Sequence, residues 1–146
     1  MSRATARQAA MQLVFEHLLG GDGGEEAVQM VYEQLKEANQ DVDSAPSETE
    51  MKYIDRAMDG IAAHQDEIDE LISGAASGWT IERMSKVDLT ILRLAVFEIL
   101  YCADDVPGSV AINEAVEMAK TYSEPASGRF VNGILGTILR QHEDQA

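Results

Sequence analysis

An all-α protein is what this sequence predicts, and three observations predict it. Apolar residues recur at three- and four-residue spacing along nearly the whole chain. Glycine- and proline-bearing stretches, "GGDGG" at 20–24, "DDVPG" at 104–108 and "SEPASG" at 123–128, interrupt the pattern at helix-sized intervals. No alternating strand segment of useful length appears, and no internal repeat.

Each element follows from its own residues. Ala6, Ala10, Leu13, Val14, His17 and Leu18 make the apolar stripe of a first helix, which the glycine run ends. A second helix runs roughly from Glu25 to Glu37, with Val28, Val31 and Leu35 facing inward. The polar stretch "ANQDVDSAPS" follows, and residues 39–47 are expected to be a flexible loop. Ser47 with Glu50 spells a capping box, backed by Met51, Ile54, Met58 and Ile61. Another helical run, Ile68, Leu71 and Ile72, ends in "SGAASGW".

Ser85 reads as the N-cap of a helix carrying Val87, Ile91, Leu92, Leu94, Ala95, Ile99 and Leu100. It is apolar around much of its circumference and should run through the centre of the fold. Ala111, Ala115, Met118 and Ala119 mark the next helix, up to about Tyr122; the last runs from about Gly128 to Arg140. That makes about seven helices in a single domain spanning 1–146.

With 146 residues the chain can bury a core without disulfides or metals. Cys102 is the sole cysteine, so no intramolecular disulfide forms and the chain reads as intracellular. No run is long and apolar enough to span a bilayer, and no secretion signal is present. A cytoplasmic protein without a membrane partner is expected.

Lys plus Arg number 11 and Asp plus Glu 26, a net charge of −15. Nucleic acid is then an unpromising partner, because phosphate binding rests on cations. The charge is uneven, however. Between Asp22 and Glu70 stand 15 acids and 3 bases, a net −12, leaving −3 for the rest. The first fifteen residues hold Arg3 and Arg7 and no acid, so a local anion site is compatible with the total.

No catalytic constellation emerges. His17, His64 and His142 have no metal-ligand spacing, and His17 reads as a core or boundary residue on its stripe. Cys102 reads as a small buried hydrophobe. Glu114 and Glu117 read as solvated surface, and the seven methionines as core filling. There is no phosphate-cradling loop and no serine elbow. Neither an enzyme nor a bound cofactor or metal is expected.

A binding surface has better support. Arg3 and Arg7 share a helix face that Met11 and Phe15 continue. Guanidinium groups beside a ring suit single-stranded RNA, whose phosphates need cations and whose bases need something flat. Two solvated arginines and a boundary phenylalanine would read the same way. Arg129 and Phe130 pose the same choice: Phe130 borders the Val131–Ile134–Ile138 stripe, so it either completes the core or lines a groove.

Three stretches resemble the NusB family of transcription antitermination factors: "GWTIERMSKVDLTILRLAVFEIL" (78–100), "DVPGSVAINEAVEMAKTY" (105–122) and "GRFVNGIL" (128–135). "SRATARQAAMQLVF" (2–15) resembles the family's N-terminal helix. The resemblance implies two packed helical bundles and no catalytic activity. It implies binding of boxA-type single-stranded RNA together with NusE, a small-subunit ribosomal protein, within an antitermination complex of RNA polymerase that acts chiefly on ribosomal RNA operons. The RNA surface it implies is Arg3, Arg7, Gln12 and Phe15 on the first helix, and Ser127, Arg129 and Phe130 at the start of the last. The resemblance thus turns Arg129 and Phe130 towards RNA. Asp88, with Glu82 beside it, would meet NusE, whereas Arg93 and Glu98 belong to internal structure. Self-association through an RNA-free face is a further implication, with Met11 and Phe15 read as its exposed apolar neighbours.

Two departures weaken the RNA side. Family members often carry a denser N-terminal arginine cluster, and Ala126 replaces an acid frequent just before the last helix. Fewer cations mean fewer released counterions and weaker binding. The rival reading is a helical adaptor for a basic protein with little or no RNA binding of its own. NusB-like domains also occur fused to RNA methyltransferases, but no catalytic domain is expected here.

Overall fold

The computed structural model describes residues 3–21, 25–38 and 45–145. Among the described residues six α-helices follow in order: α1 (Arg3–Leu18), α2 (Glu25–Ala38), α3 (Glu48–Ala75), α4 (Lys86–Tyr101), α5 (Gly108–Tyr122) and α6 (Ser127–Asp144). A single 3-10 turn, Ile81–Arg83, precedes α4, and no strand occurs among the described residues. The all-α expectation is met, with one helix fewer than counted from sequence. The apolar runs around Ile54 and Ile68 belong to one helix, α3, kinked at His64 (φ −119°, ψ 19°). Residues 62–67, between Ile61 and Ile68, include no glycine or proline to break the helix. Ile54 is buried before the kink, and Ile68 and Ile72 after it.

The chain divides into two units, Met1–Gly60 and Ile61–Ala146. In the first, α1 packs on α2. Ala6, Ala9, Ala10 and Leu13 of α1 are buried, as are Val31, Tyr32 and Leu35 of α2 and Ile54 of α3. His17, expected at the core boundary, is exposed, its Nδ1 3.0 Å from the Gly21 carbonyl. Gly20 turns the chain away at φ +103°, a left-handed conformation that favours glycine. Of the loop expected at 39–47, residues 39–44 lie outside the described residues. The capping box forms as read: Ser47 N–H donates to Glu50 Oε1 at 3.0 Å, and Glu50 N–H to Ser47 Oγ at 3.1 Å.

Tyr32 is fully buried, and burial, with the Glu50 carboxylate beside it, raises its phenol pKa well above the ordinary value. A raised folded-state pKa gives stabilisation that is complete below about pH 10 and is lost as the pH climbs beyond it. Tyr32→Phe should therefore flatten the alkaline fall of stability, measured as urea midpoints between about pH 9 and 11. Equal slopes in the two proteins would mean that Tyr32 ionises as readily folded as unfolded.

In the second unit, α4 is buried continuously from Asp88 to Ile99 and packs against α5 and α6, which also pack on each other. It is the central helix of this unit, as its apolar character around much of the circumference requires. Ser85 caps it, accepting the Asp88 N–H at 3.1 Å. Cys102 is buried at its end and donates its N–H to the Glu98 carbonyl at 3.0 Å. Arg93 and Glu98 are buried on α4, as expected of internal residues. Arg93 grips Asp69 of α3 through Nε–H to Oδ1 and Nη2–H to Oδ2, each at 2.8 Å. That two-pronged pair ties the second half of α3 to the central helix.

Candidate nucleic-acid interface

The α1 residues do not share one exposed face. Arg3 opens the helix, and its side chain lies outside the described residues. Arg7 is only 4% exposed and Met11 is buried, whereas Gln12 and Phe15 are half-buried. Arg7 lies one turn from buried Ala10, and Met11 one turn from buried Val14, so the covered face of α1 is wide enough to include both. The expectation of an exposed Met11 is thereby corrected, and self-association through α1 loses one of its two apolar contacts.

At the start of α6 a three-residue junction organises the surface. Ser123 Oγ–H donates to Asp88 Oδ1 at 2.5 Å, and Ser127 Oγ–H to Asp88 Oδ2 at 3.0 Å. The two serine oxygens also lie 2.9 Å apart. Each hydroxyl has one proton, so both protons go to the carboxylate. Asp88 sits in the first turn of α4, where the helix dipole favours an acid. It is 8% exposed, and both of its oxygens are engaged. Ser127 is likewise buried. These two residues, assigned from sequence to different partners, meet each other and join α4 to the start of α6. Glu82 stands exposed in the 3-10 turn.

Two residues beyond Ser127, Arg129 is exposed; Phe130, next to it, is half-buried. Phe130 meets Trp79 edge-to-face, with ring centroids 5.8 Å apart and planes at 69°. Its ring is thus neither sealed in the core nor standing alone. Arg129, Asn132 and Lys120 border an open cleft of about 670 Å³ floored by Val116 and Gly128. Lys120 also lies 3.4 Å from Glu117 in an exposed pair, an attachment weak enough to yield to a phosphate. A smaller cleft, about 400 Å³, has Glu67, Glu70, Tyr101 and His142 on its walls. There Tyr101 donates to Glu67 and stacks on His64, and the acids give the wrong sign for RNA.

Trp79, Lys120 and Ser123 escaped the sequence reading. The one available signal was that the chain's single tryptophan follows Gly78, a turn residue. Among the described residues no three His, Cys, Asp or Glu side chains gather as a metal site. Nor is any helix there long and apolar enough to cross a membrane.

The fold is all-helical, and its second unit carries Arg129 and Lys120 exposed, with Trp79 against Phe130. The NusB family model matches residues 4–140, and the chain belongs to the NusB family. It is 39% identical over 145 residues to a transcription antitermination protein NusB of Clostridium botulinum (strain Kyoto / Type A2), covering 95% of this chain and all of that one. Identity to the protein of the same name from Symbiobacterium thermophilum is 43% over 140 residues, covering 96% of this chain and 90% of that one. Among solved structures, T. maritima NusB superposes with a TM-score of 0.78 at 30% identity, covering 100% of this chain and 99% of that one. A structure of the antitermination factors NusB and NusE in complex with double-stranded RNA matches with a TM-score of 0.72 at 26% identity, over 95% of this chain and 96% of that one.

Proposed function

We propose that this protein is a transcription antitermination factor that binds boxA-type single-stranded RNA together with NusE. Within an antitermination complex it would keep RNA polymerase transcribing, chiefly through ribosomal RNA operons. The observation that carries the reading is the exposed Arg129 beside Phe130, bordering a cleft shared with Lys120. Cations for phosphates next to a ring for bases suit an unpaired strand. The names of the relatives agree with it, and one neighbour was solved with NusE and RNA, there double-stranded.

In this reading Arg129 and Phe130 touch RNA directly on the second unit, and Arg3, Gln12 and Phe15 are the candidate contacts of α1 on the first. Arg7 and Ser127 support those surfaces from beneath. Glu82 offers a charge to NusE, and Asp88 acts mainly by holding the α4–α6 junction. The acidic body, net −15, steers a basic protein partner towards the complex.

The test is fluorescence anisotropy of a labelled boxA-type RNA at several salt concentrations, with and without NusE. Binding should be salt-sensitive and should tighten with NusE. Arg129→Ala should lower the slope of log K against log salt by about one. The burial of Arg7 favours a second reading, a helical adaptor that binds NusE and leaves RNA to others. NusE binding with no RNA signal at any salt would establish the adaptor in place of the RNA-binding factor.

A further inference from the structure

We propose that Trp79 is a base-stacking platform, forming with Phe130 a two-ring corner that holds one unpaired RNA base. This rests on the RNA-binding reading above and adds to it a contact that neither the family resemblance nor helix spacing supplied.

Trp79 is 52% exposed, a large apolar side chain left half in water. Its backbone is nevertheless held on both sides. Gly78 adopts φ +77°, a left-handed conformation that favours glycine, and the Trp79 N–H donates to the Ala76 carbonyl at 2.9 Å. The extended Thr80 then leads into the 3-10 turn. Phe130 is fixed from its own side, because Ser127, one helical turn earlier, is bound to Asp88. A ring on a defined turn thus meets a ring on an anchored helix.

The edge-to-face contact covers only part of the indole. The remaining surface suits a flat, polarisable partner, and a base stacked on an aromatic ring gains most when nothing must rearrange to receive it. Charge selects a nucleotide as that partner. Arg129 adjoins Phe130 in the chain, is exposed, and borders the same cleft as Lys120. A phosphate next to the stacked base would find its cations there.

Trp79 is the only tryptophan, so the wild-type full-length protein reports on its own contact. Labelled boxA-type RNA would be titrated while anisotropy follows binding and tryptophan emission follows Trp79. The expected result is quenching that saturates with the anisotropy, and loss of that quenching with an RNA abasic at one position. Trp79→Ala should weaken binding about tenfold, with Trp79→Phe recovering part of the loss. Both variants should keep the wild-type melting temperature. Binding by anisotropy with unchanged emission, and with wild-type affinity in Trp79→Ala, would overturn the stacking role and leave the RNA reading standing. No anisotropy change with RNA would overturn both. Emission that shifts with protein concentration alone, and not with RNA, would replace the base by a second copy of the chain.

Discussion

Replacing Asp88 by alanine should destabilise the protein by about 3–4 kcal/mol, with urea or guanidinium midpoints as the readout. The value follows from what the carboxylate does. Two hydroxyls donate to it, and bonds of this charge-assisted kind contribute about 1.5 kcal/mol each or more. Its place in the first turn of α4 adds up to about 1 kcal/mol more through the helix dipole. Alanine would leave Ser127 buried without an acceptor of equal strength. Asp88→Asn keeps the shape but loses the charge and should cost about half as much. Because Ser127 anchors the start of α6, the alanine variant should also bind RNA more weakly while still folded. Unchanged stability together with a large loss of NusE affinity would make Asp88 a partner contact instead of a junction.

Asp69→Ala should cost about 3 kcal/mol as well, and more than Arg93→Met. The two partners of the pair differ in exposure. Arg93 keeps 7% of its side-chain surface and Asp69 keeps 21%. Removing the acid strands a guanidinium where water hardly reaches it. Removing the arginine leaves a carboxylate at an edge that water can rehydrate, and methionine refills the space, so that change should cost about 1 kcal/mol. Combining both substitutions should be less harmful than Asp69→Ala alone, since no charge is then left unpaired. A double-mutant cycle reads the coupling directly. A larger loss for Arg93→Met would show that the packing of the arginine stem outweighs its charge.

By itself the sequence determined the helices, the role of α4 and the family. Those properties are local. A capping box needs residues three apart, as at Ser47 and Glu50, and a central helix shows itself by apolar residues around much of its circumference. The one miscount, α3 read as two helices, arose because a polar stretch between apolar runs looks like a break until the backbone is seen to pass through it. Only the tertiary structure decided which side of α1 is covered, placing Arg7 inside where spacing had offered it to RNA. Only it joined Asp88 to Ser123 and Ser127, Asp69 to Arg93, and Trp79 to Phe130. The physical reason is that helical periodicity says which residues share a face, while packing between helices decides what that face meets. A charge or a ring therefore acquires its role from neighbours far along the chain, and no spacing rule reaches them.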